Sequence, residues 1–346
     1  MNLRHHTSLN RRCAVNWKSI LATIVIVAMI SSTAVAGETS SLRPVSTFSI
    51  VARDSVTGQL GVAVQSHWFS VGPVVPWAEA GVGAIATQSF VKIDYGPDGL
   101  DRLRKGETPR QALDAMLAAD SGREVRQVAI LDARGNVAAH TGNKCIIYAS
   151  HITGPGFSVQ ANLMEDSTVP RAMAKAYREA KGHLGDRILA ALRAAEGEGG
   201  DIRGRQSAAI LIVDGQRHEK PWQGRLVELR VEDHPDPIGE LSRLYRLNEA
   251  YDWMNRGDVY SEKKQWDSAS VAYGKAENLA PQIAELPFWH ATTLASAGRI
   301  DEALPIFEQV FAKERRWIPL VKRLVPAGLL PNDTTLINRI LSRIPK

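Results

Sequence analysis

From residue 47 to about residue 231, short apolar runs rich in β-branched residues recur between glycines and polar turns. The runs 47–53, 60–65, 82–87, 127–132, 137–140, 157–161, 207–213 and 226–231 have the length and composition of strands, several of them apolar on both faces. Between them lie helical stretches with start signals. Thr108 and Gln111 form a capping box with Pro109 at the first helical position, and two more helices are expected at about 169–180 and 184–196. They follow the turn Thr153-Gly154-Pro155-Gly156 and its strand. Strands in runs, then helices, then strands predict a layered α+β domain rather than strict βαβ alternation. No G-x-G-x-x-G opens a helix after the first strand, so nothing points to a dinucleotide fold.

The texture changes near residue 236 and becomes helical throughout. Asp236 and Pro237 read as N-cap and first residue of a helix running to about Trp253. Trp253, Gly257, Tyr260, Ala269, Tyr273, Ala276 and Pro281 then stand at tetratricopeptide spacings, and a shift of about 34 residues carries Ala269 onto Ala303 and Tyr273 onto Phe307. One good repeat and one degenerate repeat fit; an ordinary helical hairpin is the alternative. Two repeats fall below the usual three, so this segment is expected to dock on the first domain or on a protein partner. Terminal helices are expected between 320 and 344.

The first 46 residues carry neither pattern. Arg4, Arg11, Arg12 and Lys18 precede the apolar stretch 20–30, and Ala34-Val35-Ala36 forms an A-x-A site. This predicts a signal peptide over 1–36 and an exported, periplasmic or secreted protein. The apolar stretch is short of the roughly 20 residues that span a bilayer, so no membrane span is expected in the mature chain. Cleavage before Gly37 would remove those four basic residues and no acidic ones, leaving 38 of the 42 lysines and arginines against 37 acids. A near-neutral mature chain gives no argument for nucleic acid as a partner. Cys145 alone would remain of the two cysteines, which excludes an intramolecular disulfide, and it reads as a small buried residue. The expected organisation is thus 1–36 signal peptide, 37–46 linker or propeptide, 47–236 the α+β domain and 237–346 the helical domain.

The first domain carries many short blocks in order: 47–54, Gly61-Val62-Ala63-Val64-Gln65-Ser66, Val75-Pro76-Trp77-Ala78, Gly81-Val82-Gly83-Ala84, Ala86-Thr87-Gln88, Tyr95-Gly96-Pro97, His140-Thr141-Gly142, Gly154-Pro155-Gly156, Arg203-Gly204-Arg205-Gln206-Ser207-Ala208 and Asp233-His234-Pro235. Over about residues 47–238 it resembles the DUF1028 family, a family of unknown function grouped with the N-terminal-nucleophile (Ntn) hydrolases. The resemblance implies a four-layer αββα sandwich in which the catalytic residue heads the first strand. It implies Thr47 as nucleophile, its hydroxyl attacking and its own α-amine taking the proton. In shorter relatives T-F-S-I directly follows the initiator methionine. Here signal cleavage would leave residues 37–46 ahead of Thr47, so a second cut, at Ser46-Thr47, is required for that chemistry. Without the cut, Thr47 is a β-branched strand residue.

Around that nucleophile, Ser66 is a hydroxyl partner, His67 can titrate near neutral pH, and Asn162 is a candidate amide donor to an oxyanion. Each has a plain alternative, His67 as a surface or cap histidine and Asn162 as a turn residue bonding its own backbone. The proteasome-type acid after the second strand is absent, and Gln88 stands where that pattern has lysine. Arg203 and Arg205, with Gln206 and Ser207, are candidate binders of a substrate carboxylate; a solvated loop with an Asp201 ion pair is the alternative reading. No histidine pair has helical i, i+4 spacing, so neither a metal nor another cofactor is expected. Two functions follow: an amide hydrolase acting on a small amide or peptide, or a noncatalytic binding or scaffold protein using the helical repeats. Sheet edges and the helical segment are both compatible with a homo-oligomer.

Overall fold

In the computed structural model, Val45 and residues 47–345 are described; the signal peptide expected over 1–36 and the rest of the expected linker or propeptide lie outside the described residues. Ten strands form two antiparallel sheets. The six-stranded sheet holds β1 (Thr47–Arg53), β2 (Leu60–Ser66), β7 (Ser150–Gly154), β8 (Phe157–Asn162), β9 (Ser207–Val213) and β10 (Arg225–Val231), in the order β10-β9-β2-β1-β8-β7. The four-stranded sheet holds β3 (Pro76–Glu79), β4 (Gly83–Ser89), β5 (Arg126–Asp132) and β6 (Val137–Thr141), in the order β3-β4-β5-β6.

Strand alternation explains the layers. On β1, Phe48, Ile50 and Ala52 turn to a core shared with Met173 of α3 (Val169–Glu179) and Ile188 and Leu192 of α4 (Leu184–Gly197). Val51 turns the other way and joins Val62, Val64, Ala84, Ala129 and Leu131 between the sheets. On the far side, Ile85, Val128 and Ile130 pack against Tyr95 and Leu100 of α1 (Tyr95–Arg104) and Leu113 of α2 (Pro109–Ala118). The order is therefore helices, sheet, sheet, helices, the four layers that the family resemblance implies. Thr108 caps α2 through the expected reciprocal box with Gln111.

Three elements are absent from the sequence reading: α1, β3 and β7. The first opens Tyr-Gly-Pro-Asp-Gly, the second is a four-residue edge strand headed by proline, and the third lies in what reads as a glycine-rich turn. In each, tertiary contacts override weak local preference.

The chain leaves the sandwich through α5 (Pro237–Glu262), capped by Asp236, whose carboxylate accepts from the Gly239 N–H at 3.1 Å. The expected stop near Trp253 does not occur, because no proline or helix-ending glycine interrupts the run. Ile238, Leu241 and Tyr245 bury into the same core as Phe48 and Ile50. Gly185 admits the Tyr245 ring, since a Cβ there would lie 2.3 Å from it. The helices α6 (Trp266–Leu279), α7 (Glu285–Ser296), α8 (Ile300–Lys313), α9 (Ile318–Leu324) and α10 (Thr334–Leu341) follow. Gly257 on α5 lies against the buried ring of Tyr273 on α6, and a Cβ there would approach within 2.5 Å. Gly257→Ala is expected to lower stability by about 2 kcal/mol through overpacking, read by urea unfolding. No helix among the described residues is long and apolar enough to cross a membrane.

Candidate functional site

The first residue of β1 sits in a polar row. Cross-strand register places Ser207, Ser66, Thr47 and Asn162 side by side across β9, β2, β1 and β8. All four are buried. The Thr47 hydroxyl lies 2.7 Å from the carbonyl of Val45 and 3.2 Å from Ser66 Oγ. A carbonyl can only accept, so the single hydroxyl proton belongs to Val45.

Facing this row, β4 and β5 present Gln88 and Gln127, paired in register. Gln88 Nε2 donates to the Thr47 carbonyl at 3.2 Å and to Gln127 Oε1 at 2.7 Å. Asn162 Nδ2 donates to the same two acceptors, at 3.4 and 2.9 Å. Ser49 Oγ donates to Gln88 Oε1 at 2.5 Å and receives from Gln160 Nε2 at 2.6 Å, while Ser158 Oγ donates to Gln160 Oε1 at 2.9 Å. Buried amides must find partners, and here they find one another across two sheets. Asn162 Oδ1 is buried with no hydrogen-bond partner. The side chains bonded to Thr47 among the described residues, Ser66, Gln88 and Asn162, are all uncharged. Two non-glycine residues with left-handed backbone directly follow the amides that hold Thr47, Ser89 at φ 70° and Leu163 at φ 56°. Such strain concentrates at functional sites.

The network reaches the surface at one side. Gln127 Nε2 donates to Thr141 Oγ1 at 2.9 Å and to the Ala161 carbonyl at 2.9 Å. Thr141 Oγ1 stands 2.8 Å from His151 Nδ1, and both residues line a cavity of about 410 Å³ with Cys145 and Ser150. The Thr141 hydroxyl accepts from Gln127 and pairs with His151 Nδ1, and the ring tautomer sets which of these two is the donor. Burial, aided by His140 and Arg110, holds the His151 pKa below the ordinary 6.5. The unfolded chain therefore binds the proton more tightly. His151 contributes stability in full above about pH 6.5, and loses it as pH falls through its depressed folded value. An NMR titration is expected to give His151 a midpoint below 6.5. Burial also pushes the Cys145 thiol up, away from thiolate.

The second cluster expected from sequence is held internally. Arg203 meets the buried carboxylate of Asp201 through Nε at 3.1 Å and Nη2 at 2.8 Å, and that carboxylate also accepts the His67 backbone N–H at 3.0 Å. Arg205 binds Glu196 at 2.8 Å, and burial raises the Glu196 pKa against that pull. Gln206 Nε2 donates to Asp233 at 3.1 Å. Ser207 Oγ donates to the Trp68 carbonyl at 2.5 Å and receives from the Val71 N–H at 3.1 Å. Register thus joins Ser207 to the Thr47 row, whereas Arg203 and Arg205 are engaged with acids of their own chain.

Sequence reasoning passed over Ser49, Gln127, Ser158, Gln160, Thr141 and His151. For Ser49, Ser158 and Gln160 a signal was present: polar residues at every second position of their strands, Thr47 and Ser49 on β1 and Ser158, Gln160 and Asn162 on β8. Among the described residues no group of three or more His, Cys, Asp or Glu is placed to hold a metal ion.

The model of a family of unknown function, DUF1028, matches residues 47–241. The chain belongs to the DUF1028 family. The matched DUF1028 region ends inside α5, so the remaining helices lie outside it. A crystal structure of the DUF1028 protein SPO2555 from Silicibacter pomeroyi is similar, with 34% identity over 58% of this chain and 88% of that one, at a TM-score of 0.52. No curated protein gives a match.

Proposed function

We propose that this DUF1028 protein is an exported amide hydrolase of the N-terminal-nucleophile type, held in a closed precursor form. The observation that carries this reading is the setting of Thr47. Its hydroxyl lies between Ser66 Oγ and the chain immediately upstream, and its carbonyl is fixed by two buried amides. A reacting group so over-determined is preorganised, which is what nucleophilic catalysis demands.

The chemistry runs in two rounds. First, the Thr47 hydroxyl adds to the Ser46 carbonyl, the bond to the Thr47 nitrogen breaks, and the hydroxyl proton ends on that nitrogen. Water hydrolyses the resulting ester and frees the hydroxyl. The exposed α-amine then takes the hydroxyl proton as Thr47 attacks a substrate amide and passes it to the departing amine, and water hydrolyses the acyl ester left on Thr47; the side chains bonded to Thr47 among the described residues are uncharged and leave that base role to the amine. Ser66 steadies the hydroxyl. Asn162 and Gln88 spend their amide hydrogens on the Thr47 carbonyl and on Gln127, so they position the nucleophile rather than stabilise an oxyanion.

The test is the mature N-terminus. Intact-mass analysis of the exported protein is expected to find a form beginning at Thr47; a chain ending its processing at Gly37 would overturn the proposal.

A second reading, a noncatalytic binding protein with tetratricopeptide-like helices, draws on a groove of about 780 Å³ lined by Met254, Trp266, Tyr273 and Trp289. It is also favoured by the internal pairing of Arg203 and Arg205. It predicts that Thr47→Ala leaves the biological activity unchanged.

A further inference from the structure

We infer that the slot filled by Val45 is the acyl-side binding site of the mature enzyme. Its substrates are extended peptides, or peptide-like amides, with a small apolar side chain second from the bond that is cut. This rests on the nucleophile reading and adds the substrate class to it.

Val45 is fully buried although it precedes the first strand. Its N–H donates to the Ser89 carbonyl at 2.7 Å, and its carbonyl accepts the Ser89 N–H at 3.0 Å. It belongs to the same apolar cluster as Val64, Val71, Val75 and Ala86. Ser89 receives this two-bond bridge from a left-handed backbone, at φ 70°. An apolar slot with a backbone pair at its edge is how proteins read an extended peptide: the main chain gives affinity and the slot gives selectivity.

The reaction fixes what the slot is for. When Thr47 Oγ1 attacks the Ser46 carbonyl, Ser46 is the acyl residue and Val45 the one behind it. A substrate acyl group must reach the same oxygen from the same side, and so lies where Val45 lies now. Departure of the upstream segment uncovers the Ser89 N–H and C=O together with the apolar walls. Buried backbone groups need partners, and a peptide main chain supplies both. An ionised side chain there would be buried without a counter-ion, which is strongly unfavourable.

The experiment uses the exported, self-processed protein and acetyl-X-Ser aminocoumarin amides with X as Val, Asp, Lys or N-methyl-Val. Fluorescence release is expected to favour Val over Asp and Lys by roughly 100-fold or more in kcat/KM. N-methylation, which removes the N–H that bonds the Ser89 carbonyl, is expected to cost at least about tenfold. In parallel, Val45→Asp is expected to slow self-processing by a similar roughly 100-fold, and Val45→Ala, which stays small and apolar, by less than about tenfold. Thr47-dependent hydrolysis without these preferences, or processing with no peptide turned over, overturns the inference and leaves the nucleophile reading standing. Absence of any Thr47-dependent processing overturns the nucleophile reading and the inference with it.

Discussion

Replacing Thr47 by alanine is expected to leave the chain uncut at Ser46-Thr47 and to lower the proposed amide hydrolysis by roughly 1,000-fold or more, since removing a covalent nucleophile removes the reaction path. The side chain is small and fully buried, so loss of its hydroxyl and methyl costs only about 1–2 kcal/mol of stability. Folding is therefore retained, and the uncut chain can be identified by mass. The conservative exchange Thr47→Ser keeps the hydroxyl within reach of Ser66 and is expected to process, more slowly, because serine lacks the methyl group that restricts χ1. Ser66→Ala separates the roles. It leaves the nucleophile in place and removes the hydroxyl 3.2 Å away, so processing and turnover should both slow without vanishing. An alanine at 47 that is still processed and still active would exclude the proposed chemistry.

Gln127→Leu is expected to lower stability by about 3–5 kcal/mol, measured by urea unfolding. Gln127 Oε1 accepts from both Gln88 and Asn162, and its Nε2 donates to Thr141 and to the Ala161 carbonyl. Leucine fills much of the volume but strands two buried N–H donors and one buried carbonyl at once. Those two amides also hold the Thr47 carbonyl. The same exchange should therefore loosen the head of β1 and slow self-processing in the molecules that do fold. If Gln127→Leu processed at the wild-type rate with unchanged stability, the amide network would be incidental to Thr47.

These two exchanges differ in how far the primary structure announces them. Thr47 is announced by the family resemblance, which implies a catalytic residue at the head of the first strand, and the neighbouring runs 47–53 and 60–65 announce β1 and β2. Gln127 gives no such signal. It heads an apolar run that reads as an ordinary strand, and only the stacking of two sheets sets it opposite Thr47. The same holds for Gln88, legible as a position where lysine is missing but not as a donor to the Thr47 carbonyl. Arg203 and Arg205 show the choice that contacts make between two legible readings: the loop beside glycine allows either an anion grip or an Asp201 ion pair, and Asp201 and Glu196 are folded against it.

What the sequence determined by itself is local and periodic. The alternation of apolar positions, the Thr108 and Asp236 caps and the change of texture near residue 236 fix eight of the strands, most of the helices and the α+β class, because each depends on neighbours a few residues apart. The tertiary structure alone decided which polar side chains meet. Thr47, Gln88, Gln127 and Asn162 are up to 115 residues apart, and their contact depends on two sheets closing face to face with one register. It also decided that Val45 is drawn into the core beside Ser89, a pairing that no local preference of a polar, pattern-poor segment could specify.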